Sequence, residues 1–152
     1  MSKYFSYEEF ERSEIAKKLG IDNTIPNNAI KSNIDYLCNY LLDKLRSIYN
    51  RPIYINSGYR SVALNIAVKG SANSAHTTGL AADVDTRCGE NRRLADIVVM
   101  NRLPFRQMIL YSSLENPKWI HLGISRIENC GQILLKKDGK YIDITNKYSV
   151  RL

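Results

Sequence analysis

The sequence predicts an α+β domain in which a small antiparallel sheet packs against N-terminal helices. Two observations carry this prediction. Helical periodicity dominates residues 7–48, and short alternating strands bounded by turn residues dominate the chain from residue 53 onward. A chain of 152 residues is the size of one ordinary domain and can bury a hydrophobic core without the support of disulfides or metal ions. We therefore expect a single domain over residues 1–152.

The N-terminal part is predicted to be helical. Residues 7–19 favour one short helix that Gly20 ends, and a loop follows it. Apolar residues then recur at spacings of three and four, which predicts a long helix with one buried face before Pro52. These apolar residues are Ile30, Ile34, Leu37, Cys38, Leu41, Leu42, Leu45 and Ile48.

The rest of the chain reads as short strands with two further helical segments. Helical turns are expected over residues 61–68 and 90–101. Asp138 and Gly139 favour a hairpin turn near the C-terminus. The expected strands cover residues 53–55, 80–85, 106–112 and 118–124, followed by a hairpin over 132–144.

Composition limits the partners. The net charge of +7 favours anionic partners, but the basic pairs at 17–18, 92–93 and 136–137 are isolated and read as solvated surface. We therefore expect no nucleic-acid partner. The N-terminus has no apolar signal-peptide core, and no apolar run approaches the ~20 residues of a membrane span. We expect no membrane partner, and we expect the protein to be synthesised in the cytoplasm without a signal peptide.

Two strands carry potential metal ligands. In residues 80–85, Asp83 shares a face with Ala81, and in residues 118–124, His121 shares a face with Gly123. If these strands are neighbours, both ligands emerge together, and His76 can fold back onto them across the turn at Gly79. Two imidazoles and a carboxylate suit a catalytic Zn²⁺ with water in the fourth position. From spacing alone, a surface histidine and a hydrogen-bonded strand histidine remain open alternatives.

Three separated motifs resemble one family. The run SAHTTGLAAD, residues 74–83, matches the Ser-x-His-x-x-Gly-x-Ala-x-Asp signature of the D-alanyl-D-alanine zinc carboxypeptidases. INSGYRS, residues 55–61, resembles their Ser-Gly-Tyr-Arg segment, and WIHLG, residues 119–123, resembles their third-ligand strand. The resemblance covers about residues 5–125 and is closest to short single-domain members from phages and prophages. It implies a fold related to the amino-terminal domain of hedgehog proteins.

The resemblance implies roles for several residues. His76, Asp83 and His121 would hold Zn²⁺, and Arg60 would line the active site and meet a substrate carboxylate or a developing oxyanion. Ser74 would offer its hydroxyl to the substrate backbone. The alternatives are that Arg60 forms a surface ion pair and that Ser74 shapes a turn. Asp85, two residues past Asp83, could orient a ligand histidine or be exposed.

The expected general base is missing. Family members place a Glu either three residues before the third ligand, where this chain has Lys118, or at the end of the preceding strand, where it has Tyr111. Glu115 is the only carboxylate in the loop between these strands and is the candidate base, with a surface role as the alternative. Tyr111 could donate a hydrogen bond to an oxyanion, but its high pKa makes it a poor base at neutral pH.

The leading hypothesis is a zinc-dependent peptidase that cleaves peptidoglycan stem peptides as a D,D-carboxypeptidase or an endopeptidase. It would act at the bacterial cell wall as a phage lysis enzyme or a virion component, and a cytoplasmic recycling enzyme is an open alternative. The rival is a weak or inactive metal-binding domain of the same fold, serving as a structural component among other virion proteins. The C-terminal segment, residues 126–152, is expected to form a hairpin or extension that completes the sheet or contacts a partner.

Overall fold

Residues 1–151 of the protein contain six α-helices. The structure, a computed structural model, describes residues 1–151. A π-helical turn, Cys38–Leu42, joins the third and fourth helices into one continuous rod. The helices are α1 (Tyr7–Glu11), α2 (Glu14–Leu19), α3 (Asn28–Leu37), α4 (Asp43–Tyr49), α5 (Val62–Ala67) and α6 (Asn91–Met100).

The predicted single helix over residues 7–19 is wrong, because two helices lie there. Arg12 is extended and ends α1, and Ser13 is extended and begins α2. The Ser13 hydroxyl accepts a hydrogen bond from the backbone N–H of Ala16 at 3.1 Å. A serine that caps the next turn competes with continuation of the helix, and this breaks the segment in two.

The long helix is confirmed, but its buried face changes near the C-terminus. The π-helical turn adds one residue to the ladder and rotates everything after it. Tyr49 is consequently buried, whereas Ile48, which the regular period places on the buried face, is 45% exposed. The helix ends at Asn50, whose left-handed φ of 57° stops it before Pro52.

Six strands form one sheet in the order β1-β2-β4-β3-β5-β6. Four of the five neighbouring pairs are antiparallel, as predicted, and only β3 and β5 run parallel. The positive φ angles of Asp138 (52°) and Gly139 (74°) confirm the predicted hairpin turn between the last two strands. The strands are β1 (Tyr54–Ser57), β2 (Ala81–Asp85), β3 (Gln107–Tyr111), β4 (Ile120–Gly123), β5 (Gln132–Lys137) and β6 (Lys140–Asp143).

The parallel pair departs from the predicted antiparallel sheet. β4 ends at Gly123, which lies opposite Gln107 at the start of β3. The connection 124–131 is short and stays at this end of the sheet, where the N–H of Gly131 donates to the carbonyl of Phe105 at 3.0 Å. β5 therefore starts beside the start of β3 and must run in the same direction.

The two faces of the sheet have different neighbours. One face packs against the helices, and its side chains are fully buried: Ala82, Val84, Met108, Leu110, Ile120 and Leu122. The opposite face carries Asp83, His121, Ile109 and Leu134, which the strand registers place side by side. Because successive residues alternate between faces, the core and the polar face come from the same strands.

Of the pair Arg92 and Arg93, only Arg93 is exposed as predicted. Arg92 is buried and donates from Nε to the Asp96 carboxylate at 3.1 Å and to the Tyr148 hydroxyl at 3.0 Å. It thereby ties α6 to the C-terminal segment.

Within residues 1–151, no helix combines the length and apolar character that crossing a membrane requires.

Candidate metal centre

Neighbouring strands bring Asp83 and His121 together. β2 pairs with β4 in an antiparallel register that sets the two residues directly opposite each other. Directly opposite residues of an antiparallel pair point to the same face, and their side chains lie close together. The predicted convergence of these two residues is thus a consequence of strand pairing.

A short 3₁₀ turn, Ala75–Thr78, brings His76 to the same place. The Ser74 hydroxyl caps this turn and accepts from the backbone N–H of His76 at 3.3 Å. Gly79 ends it with a φ of 81°, and a Cβ at Gly79 would lie 3.0 Å from the carbonyl oxygen of Ile30. Gly79 therefore combines a left-handed backbone with a close approach to α3, and both features favour glycine.

Three potential ligand atoms meet at one point. His121 Nδ1 lies 3.0 Å from Asp83 Oδ1, and His76 Nε2 lies 3.2 Å from His121 Nδ1 and 3.4 Å from Asp83 Oδ1. The Nδ1–H of His76 donates to the carbonyl of Gly58 at 2.8 Å. This bond leaves the Nε2 lone pair of His76 free to face the other two ligands.

The distances fit a zinc ion. Ligands about 2.0–2.1 Å from a tetrahedral Zn²⁺ lie about 3.3 Å apart, and the three separations here are 3.0, 3.2 and 3.4 Å. Two imidazole nitrogens and one carboxylate oxygen are a common ligand set of catalytic zinc. The residues present therefore fit the ion that the motifs imply, and two of them, His76 and His121, line a cleft.

The protonation states also suit metal binding. Burial opposes ionisation of Asp83, but the two neighbouring histidines outweigh it and hold the Asp83 pKa well below its usual value. Burial lowers the pKa of His121, against the opposing effect of Asp83. At neutral pH the carboxylate is charged and the His121 ring is neutral, which are the forms that bind metals.

An open cleft of about 830 Å³ lies over this face of the sheet. His76 and His121 line it, together with the cationic side chains of Arg60, Lys69 and Arg106. Within residues 1–151, none of the residues lining the cleft is Asp or Glu. The cleft is therefore electropositive and suits an anionic ligand.

Arg60 lies inside the site and not in a surface ion pair. Its guanidinium lies 3.4 Å from the Asp83 carboxylate, and its side chain is 15% exposed. It also donates from Nε to the Ser57 hydroxyl at 3.0 Å and from Nη1 to Asn65 Oδ1 at 3.4 Å. These contacts hold the group at the edge of the cleft next to the candidate ligands.

Ser74 and Tyr111 also line the cleft. Tyr111 lies at the end of β3, and its ring stacks on Trp119 with the centroids 4.5 Å apart. Burial, with added effects of Asp83 and Tyr141, raises the Tyr111 pKa, so its hydroxyl stays protonated at neutral pH. Tyr111 is thus positioned as a hydrogen-bond donor.

Glu115 lies outside the cleft, contrary to the prediction that it is the general base. Its side chain is 70% exposed and pairs with Arg151 at 3.0 Å and with Arg92 at 3.8 Å. Glu115 does not line the cleft. Two arginines hold the carboxylate toward the C-terminal segment, away from the candidate ligands.

Asp85 contacts neither candidate histidine ligand. Its Oδ1 accepts from the Arg87 backbone N–H at 2.9 Å and from Asn91 Nδ2 at 3.0 Å. Both roles predicted for Asp85 are therefore wrong, because it orients no ligand histidine and its side chain is half-buried and not exposed. Asp85 instead fixes the connection from β2 to α6.

Sequence reasoning missed Asn65, which supports Arg60 behind the cleft, and several residues that line the cleft. Asn65 is buried and joins Arg60 to the carbonyl of Ser71, to which its Nδ2 donates at 2.8 Å. The feature of the sequence that could have identified Asn65 is its position as a polar residue inside the apolar run VALNIA. The hairpin also reaches the cleft, through Gln132, Leu134 and Tyr141.

The fold and the site together define a class: an α+β protein with a candidate mononuclear metal centre of the zinc-hydrolase kind on one face of its sheet. The chain belongs to the peptidase M15 family, which it matches over residues 3–123. The resemblance to the zinc D-alanyl-D-alanine carboxypeptidases is thereby confirmed. No curated protein matches the sequence. The family match ends with β4, so β5 and β6 lie beyond it.

Proposed function

We propose that the protein is a zinc-dependent peptidase that hydrolyses peptidoglycan stem peptides, as a D,D-carboxypeptidase or an endopeptidase. The observation that carries this proposal is the set of three ligand atoms, 3.0–3.4 Å apart, beside an electropositive cleft. Membership of the peptidase M15 family supports the same chemistry.

His76, Asp83 and His121 would hold Zn²⁺. When bound, the ion would polarise the scissile carbonyl and lower the pKa of a water ligand to about 7. In the neutral ring of His76, donation from Nδ1–H to the Gly58 carbonyl places the lone pair on Nε2. Such a partner on the second ring nitrogen orients a histidine ligand.

The cationic cleft would receive the negative charge of the peptide. A guanidinium has five N–H donors, and the three bonds to Ser57, Asn65 and Asp83 leave donors of Arg60 for a substrate carboxylate. Tyr111, which keeps its proton, would donate to a carbonyl oxygen, and Ser74 would contact the peptide backbone. These groups bind and orient a peptide, but none of them is a strong base.

A second function is favoured by the absence of a base. Within residues 1–151, no carboxylate lines the cleft, and both family positions for the base hold other residues, Tyr111 and Lys118. Loss of general acid–base assistance typically costs about 10²–10⁴ in rate. The alternative is therefore a weak or inactive metal-binding domain with a structural role, for instance among virion proteins.

One experiment separates the two functions. The purified chain is analysed for bound zinc and is then incubated with the pentapeptide L-alanyl-γ-D-glutamyl-L-lysyl-D-alanyl-D-alanine and with cross-linked wall fragments. Zinc with cleavage that a chelator abolishes supports the peptidase, and mass spectrometry identifies the bond that is cut. Zinc without cleavage supports the structural domain. A chain that binds no zinc contradicts both.

The proposed place of action is the bacterial cell wall, reached after release from the cell or as a virion component. The net charge of +7 supports binding to anionic wall polymers. Co-sedimentation with purified wall sacculi should decrease as salt rises from low to physiological ionic strength. Binding that salt does not change would argue against electrostatic attraction to the wall.

We also propose that residues 1–152 act as one domain. The hairpin supports this proposal because β5 pairs directly with β3 of the family-matched part. Denaturation followed by two probes, Trp119 fluorescence and far-ultraviolet circular dichroism, should give one coincident transition. Two separate transitions would show that the C-terminal segment folds independently.

A further inference from the structure

The C-terminal hairpin, β5 and β6, forms one wall of the cleft although it lies beyond the family match. Gln132 and Leu134 of β5 and Tyr141 of β6 line the cleft. The hairpin is therefore part of the candidate site and more than an extension of the sheet edge.

The strand registers place a straight row of residues across the sheet. Asp83 lies opposite His121, His121 opposite Ile109, and Ile109 beside Leu134. Neighbouring strands lie about 4.8 Å apart, so this row runs roughly 10 Å from His121 to Leu134. An extended peptide covers about 3.3–3.6 Å per residue, so roughly three residues fit along the row.

The row has an apolar floor and two different sides. Ile109 and Leu134 form the floor. On one side, Gln107 donates from Nε2 to Gln132 Oε1 at 2.8 Å, and this side therefore presents amides.

Aromatic rings form the other side. Tyr111 is held by stacking on Trp119. Tyr141 is held by Lys136, whose Nζ lies 3.8 Å from the centre of its ring. The result is a trough that fits an aliphatic side chain on its floor and a peptide backbone against its amide side.

The direction of the peptide follows from Arg60. Arg60 contacts Ser57 of β1 and Asp83 of β2, on the side of the candidate ligands opposite to the hairpin. If Arg60 holds the carboxyl end of the peptide, the residues on the acyl side of the cut bond lie in the trough.

We propose that the trough between β4 and β6 is the subsite for the acyl part of the substrate, and that the hairpin makes the protein select peptides with two or three residues on that side. This inference rests on the proposed function, because it names what that site selects. The side chains that select are Leu134 and Tyr141, with Ile109 on the floor.

The test measures binding to the zinc-loaded full chain. The probes contain no D-alanyl-D-alanine bond, so binding is measured without cleavage at such a bond. The probes are the tetrapeptide L-alanyl-γ-D-glutamyl-L-lysyl-D-alanine, which fills the acyl side, and N-acetyl-D-alanine, which is too short to reach Leu134. Trp119 is the single tryptophan and stacks on Tyr111 in the cleft, so its fluorescence reports occupancy. Calorimetry provides an independent affinity.

Three variants are compared with the natural chain. Tyr141→Ala removes a side chain that is 56% exposed, so little core is lost, and Leu134→Thr changes the floor but keeps a strand-forming residue. Ile142→Ala is the matched control, because Ile142 is the next residue of β6, is 47% exposed and points to the other face.

The natural chain and Ile142→Ala should bind the tetrapeptide at least about tenfold more tightly than N-acetyl-D-alanine, as expected for apolar groups in a pocket. That preference should fall to near one in Tyr141→Ala and Leu134→Thr. An equal preference in all four proteins, or none in the natural chain, overturns the inference while zinc-dependent cleavage still supports the proposed function. If neither probe binds and no peptide is cleaved, the proposed function fails and this inference fails with it.

Discussion

His76 Nε2 lies 3.2 Å from His121 Nδ1, although the two residues are 45 positions apart in the chain. The Nδ1–H of His76 is already donated to Gly58, so His76 offers only a lone pair toward its neighbour. Both rings are buried, and Asp83 completes the group. A cation at this point would meet three preorganised ligands, and few side chains would have to move.

The first prediction concerns the metal. Asp83→Asn should lower zinc affinity by at least about 100-fold, because it removes the only anionic ligand of the group. Asp85→Asn is the matched control on the same strand, and its side-chain oxygen can still accept from Arg87 and Asn91. Competition with a zinc-binding dye measures both variants. Equal zinc affinity in the two would contradict the proposed ligand set.

The second prediction restores the missing base. Tyr111→Glu places a carboxylate at the position where family members have it, on the rim of the cleft. If the site otherwise works, peptide cleavage should rise by about 10²–10⁴, the usual contribution of general acid–base catalysis. Tyr111→Gln has nearly the same shape but cannot take a proton, so it should show no such gain. Rates are measured with the stem pentapeptide, and equal rates in the two variants would count against a missing base.

Glu115→Ala belongs to the same series. Because Glu115 pairs with Arg151 and Arg92 outside the cleft, its removal should leave any cleavage rate within about twofold of the natural chain, as expected for an exposed ion pair. A loss of more than tenfold would return Glu115 to the reaction.

The third prediction tests the turn that places His76. Gly79→Ala should lower the free energy of unfolding by about 2–4 kcal/mol, because it adds a clash with Ile30 to a left-handed backbone. Gly20→Ala is the control: Gly20 has a similar φ of 68° but no atom within 4 Å of a Cβ. It should cost only about 1–2 kcal/mol. Urea titration gives both values. Equal losses of unfolding free energy in the two variants would show that the close approach of Gly79 to Ile30 does not contribute.

The fourth prediction uses the cysteines. Burial raises the pKa of Cys38 to about 12, so at pH 8 its thiol keeps its proton and does not react, since the thiolate is the nucleophile. Cys88 and Cys130 are exposed. The native protein should take up two equivalents of a thiol reagent and a third only after unfolding. Uptake of three equivalents without unfolding would show that the helical layer opens readily.

Local patterns determined much of this fold. Alternation along residues 80–85 and 118–124 assigned Asp83 and His121 each to a face, and the positive φ of Gly79 and Gly139 agrees with the turns predicted from glycine. These features depend on backbone geometry and on near neighbours in the chain, so a single sequence contains them. The order of the motifs was sufficient to identify the family.

Tertiary structure decided the rest. Glu115 is drawn to Arg151, 36 residues away, and Arg60 is fixed by Asn65 and Asp83, so neither position could be inferred from adjacent residues. The parallel pairing of β5 with β3 followed from which end of the sheet the connection 124–131 reaches. Such pairings depend on free-energy differences between distant contacts, which local periodicity does not encode. For this reason the sequence by itself determined the candidate metal ligands, whereas only the folded chain decided which side chains surround them.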